Sequence, residues 1–196
     1  PYVYLTVKSI IHHCKDSFHI CLVDDNSFVR LMPDWKYAGA RLSNPVADHV
    51  RRLGVTKLLH TYGGMTVPPS FLCLRDLIEM YTNGTADAKS MFIAENRNRS
   101  VTFSTREYIA DPNIMGAPAG NTEMGALGAY MEKLTESDKT ARADFMGDVG
   151  EWCWCVRGSM RGGLVVSVWE GCCCYLQGTA TTETDDEWSV GSVGCV

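Results

Sequence analysis

Residues 43–71, SNPVADHVRRLGVTKLLHTYGGMTVPPSF, constrain the fold more than any other stretch, because they spell a long helix, its stop and the strand that follows. Ser43 or Asn44 can cap the helix, Pro45 suits its first turn, and Gly63-Gly64 ends it. Val50, Leu53, Leu58 and Leu59 form its apolar stripe. Met65-Thr66-Val67 then reads as a short strand, and Pro68 and Pro69 follow it.

The rest of the chain repeats this alternation. YVYLTVKSIIHHC opens with β-formers and continues as an amphipathic stretch, predicting a strand near residues 2–6 and then a helix. FHICLVDD is an apolar, β-branched run over 18–23 ending in Asp24 and Asp25, the form of a buried parallel strand. Asn26 and Ser27 can cap a short helix through SFVRLMPDW, which Pro33 limits. SFLCLRDLIEMY reads as a helix or a strand-turn-helix ended by Asn83-Gly84. SMFIAEN predicts a strand at 91–95, and the polar RNRSVTFSTREY after it is a loop with room for a short strand. NIMGAPAGNTEMGALGAYMEKL predicts a strand at 113–117, a Gly/Pro turn and a helix from Thr122 to Leu134. Strands alternating with helices predict an α/β fold with a mostly parallel central sheet flanked by helices.

At 196 residues, with 45% hydrophobic and 21% charged side chains, the chain suits one such domain. Its net charge of -5 is uneven: residues 1–139 hold 15 basic and 15 acidic side chains, and residues 140–196 hold 3 and 8. Neither part is a polycation, which argues against nucleic acid as a partner. No apolar run is long enough to span a membrane. The chain starts at Pro1, the form of a fragment or a trimmed sequence, and oligomeric state is not encoded in any of these features.

Six of the nine cysteines fall at or after Cys153. The other three, Cys14, Cys21 and Cys73, sit in apolar stretches and read as small buried hydrophobes. The pattern is not a secreted disulfide scaffold and points to a reducing, cytoplasmic compartment. The composition itself changes late in the chain. From Thr140 onward there is no Lys, Ile, Asn, Pro or His, while four of the five tryptophans lie there. The expected organisation is a domain over 1–153 and a Gly/Cys/Trp-rich tail over 154–196. Two readings of that tail stand side by side. A slip of reading frame after Asp148–Cys153 would leave it poorly packed from about residue 155, whereas a genuine β tail would use LVVSVWEG as a hairpin strand.

Chemistry-bearing residues are sparse. Asp24 and Asp25 stand at the carboxyl end of a predicted parallel strand, where open α/β sheets bind ligands. The same two residues can simply cap the next helix. His12 and His13 are adjacent, so on a helix their rings diverge by about 100° and chelate one ion poorly. His49 and His60 lie three turns apart on one predicted helix. No zinc spacing precedes the tail, and CWC and CCC are not zinc pairs. Dinucleotide, P-loop and nucleophile-elbow glycine motifs are absent. Arg97 to Ser100 could grip a phosphate or be an exposed basic loop.

The order of ICLVDDNSF, LLHTYGGMTVPPSF and NIMGAPAGNTEMGALGAYMEKL resembles glycosyltransferases with the sugar-binding DXD region, especially uncharacterised members encoded by large DNA viruses. The resemblance covers about Tyr2 to Cys153. It implies the GT-A-like nucleotide-sugar-binding fold, a nucleotide-sugar donor, and a setting such as the cytoplasm of a virus-infected cell. It also implies Mn²⁺ or Mg²⁺ on an acidic pair a few residues after Tyr-Gly-Gly. Here that pair falls at Pro68 and Ser70, and Arg52 and Val55 replace an Asp and an Arg ahead of it, so no metal cofactor is expected. An active version would use Asp25 and Glu95 as catalytic carboxylates, with Glu123 as an alternative base. Its substrate residues would be Asp24, Tyr62, Gly63, Gly64, Arg97 and Glu123, with Arg99 or Lys57 as further cations facing the diphosphate. The alternative is a catalytically inactive descendant serving as a structural or interaction protein. A third reading, a metal-binding redox protein built on the tail cysteines, is the weakest.

Overall fold

The structure is a computed structural model that describes residues 2–37, 42–86, 90–95, 110–137, 145, 147–153, 165–166, 173–175 and 190–191. In chain order the elements are α1 (Tyr2–Cys14), β1 (Leu22–Val23), α2 (Asp25–Leu31), α3 (Val46–Tyr62), β2 (Gly64–Thr66) and β3 (Phe71–Cys73). There follow α4 (Ile78–Gly84), β4 (Phe92–Glu95), β5 (Ala110–Ala117), α5 (Thr122–Glu136) and α6 (147–153). Three short strands complete the set: β6 (Val165–Val166), β7 (Cys173–Tyr175) and β8 (Val190–Gly191).

The central sheet runs β2-β5-β4, and both of its pairings are antiparallel. Among the described residues, only the two-residue β6 joins it in parallel, at the outer edge of β4. This corrects the expectation of a mostly parallel, GT-A-like sheet. The reason lies in burial. Along β4, Ile93 packs into one cluster with Leu53, Leu58, Leu59, Met124 and Met131, on the side of α3 and α5. Its neighbours Phe92 and Ala94 pack into another with Ile10, Leu77 and Met80, on the side of α1 and α4. Met115 and Ile114 of β5 divide the same way. Helices therefore cover both faces, and Met91-Phe92-Ile93-Ala94 reads as a continuous apolar run. Such runs are the habit of parallel sheets, but double-sided burial produces them whatever the strand direction.

The N-terminal segment is the second correction. The predicted strand at 2–6 is the first part of α1, whose buried residues Thr6, Ile10 and Cys14 are spaced four apart on one helical face. That face packs on β3, and this tertiary contact overrides the β propensity of Tyr2-Val3-Tyr4. The run at 18–23 forms only β1, which pairs with β8 rather than with the central sheet. Cys21 is exposed, not buried as expected, whereas Cys14 and Cys73 are buried.

The remaining elements follow the sequence reading closely. Helix α3 buries Val50, Leu53, Leu58 and Leu59, each contributing roughly 1.5–3 kcal/mol by leaving water. Helix α5 buries Met124, Leu127, Met131 and Leu134 against it. Residues 71–84 are a strand, a turn and a helix. The Phe92 ring is wedged between two glycines, since a Cβ on Gly84 or Gly116 would lie 2.5 or 2.4 Å from its ring carbons. Between Ile93 and Ala94 the β4–β5 register shifts, so that Pro112, which has no N–H to give, falls in the irregular stretch.

In the tail, β6, β7 and β8 pair with β4, β3 and β1, respectively. Cys153 is buried and Trp152 is partly buried against the core, stacked on Tyr130. Trp154, Trp169 and most of the residues expected to pack poorly lie outside the described residues, as does the polar loop at 97–108. Among the described residues no helix is long and apolar enough to cross a membrane.

Candidate functional site

Four of the residues expected to bind substrate gather where α3 ends. Gly63 is the C-cap, with φ +73° and ψ −165°, and its N–H donates to the Leu59 carbonyl. This backbone conformation belongs to glycine. The turn after β5 lies directly against it: a Cβ on Gly63 would stand 2.6 Å from the Ala119 nitrogen. Gly64, at φ +92°, opens β2 opposite Ala117. Both glycines are buried.

The same turn is tied to the last turn of α3 by hydrogen bonds. The Gly120 N–H donates to the His60 carbonyl at 2.7 Å. His60 Nδ1 lies 2.9 Å from the Asn121 carbonyl, which can only accept, so Nδ1 carries the proton. Asn121 caps α5, its Oδ1 accepting from the Glu123 and Met124 amides at 3.0 and 2.9 Å. Glu123, in the first turn of α5, is half-buried at this junction. Tyr62 is exposed, and its hydroxyl donates to the Leu31 carbonyl at 2.7 Å, holding the end of α2. Tyr62, Gly63, Gly64 and Glu123 therefore meet in a junction closed by backbone contacts.

Asp24 and Asp25 lie elsewhere. At the start of α2 Asp25 is paired to Arg51 at 3.6 Å, and at its end the Leu31 carbonyl is held by Tyr62. Arg51 and Tyr62 are about 16 Å apart along α3, at roughly 1.5 Å per residue. The two aspartates thus stand toward the opposite end of that helix. Asp24 is the N-cap of α2, the capping role open to it in the sequence, rather than Asn26 or Ser27. Its Oδ1 accepts from the Ser27 amide at 2.7 Å, and the Ser27 hydroxyl receives the Asp24 N–H at 2.8 Å, forming a capping box. The Ser27 hydroxyl and amide together hold the Asp24 carboxyl below its ordinary range. Its capping role needs no ligand.

The remaining candidates are also placed by structure. Lys57 pairs with Glu132 at 2.9 Å and lies over the Trp35 ring. Arg52 donates to Asn113 Oδ1 at 2.6 Å, linking α3 to β5. Glu95 ends β4 opposite Ala110. Arg97 and Arg99 lie outside the described residues. In the turn where the resemblance places metal ligands, the Pro68 carbonyl accepts from the Phe71 amide at 2.9 Å, and the Pro69 carbonyl accepts from the Thr6 hydroxyl of α1. Among the described residues no group of three or more His, Cys, Asp or Glu side chains is placed to hold a metal ion.

Buried His49 stacks on Phe145 with centroids 4.0 Å apart, and His12 and His13 meet edge to face. Two residues of the junction were missed by sequence reasoning. Asn121, directly before the helix predicted from Thr122, is a preferred capping residue and could have been named. His60 could not, because its partner is 61 residues away. Comparison of the chain with protein-family models, with curated proteins and with solved structures finds no match, so the family resemblance rests on the quoted motifs alone.

Proposed function

We propose that the chain is a non-catalytic structural or interaction protein, a rigid block rather than a working sugar transferase. The observation that carries this reading is the closure of the Tyr62-Gly63-Gly64 junction. A donor-binding crevice needs backbone or side-chain groups turned toward a ligand. Here the double glycine is buried under the turn at 118–121, and the His60 carbonyl and Asn121 side chain are spent on that turn and on α5. The acidic pair at the start of α2 is engaged in a cap and an ion pair at the other end of α3.

The interaction side of the reading draws on α1. Its first four residues, Tyr2, Val3, Tyr4 and Leu5, are all more than half exposed, a concentration of apolar surface unusual for a solvated helix. Calorimetric titration of the full chain with uridine diphosphate, with and without Mn²⁺, tests the reading. No heat beyond dilution is expected in either arm. Mn²⁺-dependent binding would overturn the proposal and restore the transferase reading, with Asp25 or Glu95 completing the site.

A further inference from the structure

Cys14 closes α1 and Cys73 closes β3; both are about 1% exposed, and their sulfurs lie 3.7 Å apart as free thiols. A disulfide bond is about 2.05 Å long, so each sulfur has to move by only about 0.8 Å to reach bonding distance. The surrounding contacts already hold the two elements together. The Cys73 amide donates to the Ser9 hydroxyl at 2.9 Å, and the Thr6 hydroxyl donates to the Pro69 carbonyl. The Cys73 thiol itself donates to the Arg75 carbonyl at 3.0 Å. When Cys14 loses its proton, the Cys73 S–H can turn to the Cys14 sulfur. That contact holds the Cys14 thiol below its ordinary range, against burial and the nearby Asp76 carboxylate, which push it up.

We propose that Cys14 and Cys73 form a reversible redox-modification site whose oxidant is a low-molecular-weight disulfide of the glutathione class. The Cys14 thiolate attacks one sulfur of the small disulfide, forming a mixed disulfide and releasing one small thiolate. The Cys73 thiolate then attacks the Cys14 sulfur, closing the protein disulfide and releasing the second. The protein loses two protons and two electrons, and the small disulfide is reduced to two thiols. Because both sulfurs are buried, attack follows a local opening of α1 away from β3, and it is slower than reaction at exposed Cys21. The product staples helix α1 to strand β3 and fixes the face that the helix presents. Loop closure between residues 59 apart raises the unfolding midpoint by about 10 °C.

The test incubates the full chain, folded, in mixtures of reduced and oxidised glutathione. Samples are acid-quenched, alkylated, digested and read by mass spectrometry, and melting is followed on the same material. A peptide pair linked through Cys14 and Cys73 is expected, with the rise in midpoint, and dithiothreitol reverses both. The Cys73→Ala variant should lose the rise; if that variant fails to fold, the linked peptide in the unmodified chain still decides. The proposal is overturned if Cys14 and Cys73 stay reduced while Cys21 is glutathionylated. It is also overturned if either residue couples to a third cysteine, such as Cys173, which stands opposite Cys73 in the β3–β7 ladder.

Discussion

The closed junction at the end of α3 makes a quantitative demand on Gly63. Replacing it by Ala incurs two costs. The first is conformational: φ +73° with ψ −165° is glycine territory, and an L side chain there costs about 1–3 kcal/mol. The second is steric. The new Cβ would lie 2.6 Å from the Ala119 nitrogen, 3.2 Å from the Pro118 carbonyl carbon and 3.3 Å from the Ala117 oxygen. All three are backbone atoms, so no rotamer change relieves the contact, and overpacking of this kind costs about 1–3 kcal/mol more. Gly120 separates the two effects, because it has φ +71° but nothing within 4 Å of the Cβ position. Gly120→Ala should therefore cost only the backbone part, about 1–2 kcal/mol. With a urea slope of about 2–3 kcal/mol per molar, Gly63→Ala should lower the unfolding midpoint by roughly 1–2 M, and Gly120→Ala by less than about 1 M. Urea unfolding followed by far-UV circular dichroism measures both. Equal shifts for the two variants, or a Gly63→Ala loss below about 0.5 kcal/mol, would refute the close approach and with it the closed junction.

Two further outcomes follow from burial. Leu58→Ala, at 1% exposure in the α3–α5 core, should lose about 2–5 kcal/mol in chemical denaturation, and a loss under about 1 kcal/mol would mean that the stripe does not face the core. Burial pushes the Cys153 thiol up to about 12, from 9.0, so the unfolded chain releases this proton first as pH rises. The associated stability is fully present below pH 9 and falls by about 1.4 kcal/mol per unit as pH rises toward 12. Native alkylation near pH 9 should leave Cys153 unlabelled; its rapid labelling without unfolding would contradict the burial.

How much of this was legible in the sequence depends on where each signal resides. Helix α3 was readable because its stripe and double-glycine stop are local, and α5 because Met124, Leu127, Met131 and Leu134 repeat at helical spacing. Strand direction was not readable. Antiparallel and parallel strands differ in which backbone pairs with which, and no residue of Phe92-Ile93-Ala94 records that choice once both faces are covered. Only the first part of α1, residues 2–6, was misread as a strand, because the face begun by Thr6 and continued by Ile10 and Cys14 acquires its full meaning from the surface of β3. The candidate site divides similarly. Asp24 carried its cap in the local sequence, since its partner is Ser27, three residues on. The Gly63–Ala119 approach joins segments more than fifty residues apart, and nothing near Gly63 announces it.

The position of β5 also sets an order of assembly. It lies between β2 and β4, so these two strands, although earlier in the chain, have no partner in common until residues 110–117 arrive. The main cover of one face is equally late, because α3 completes its packing only against α5. A chain growing from its N-terminus can therefore form α3 as an isolated helix but no central sheet, and such helices are marginal in water. Folding must await the segment ending near Glu136, and the pairing of Gly64 with Ala117 closes a loop that slows the search. Until then Met65, Val67 and Phe92, fully enclosed in the finished molecule, are the surfaces a chaperone or a neighbouring nascent chain would meet.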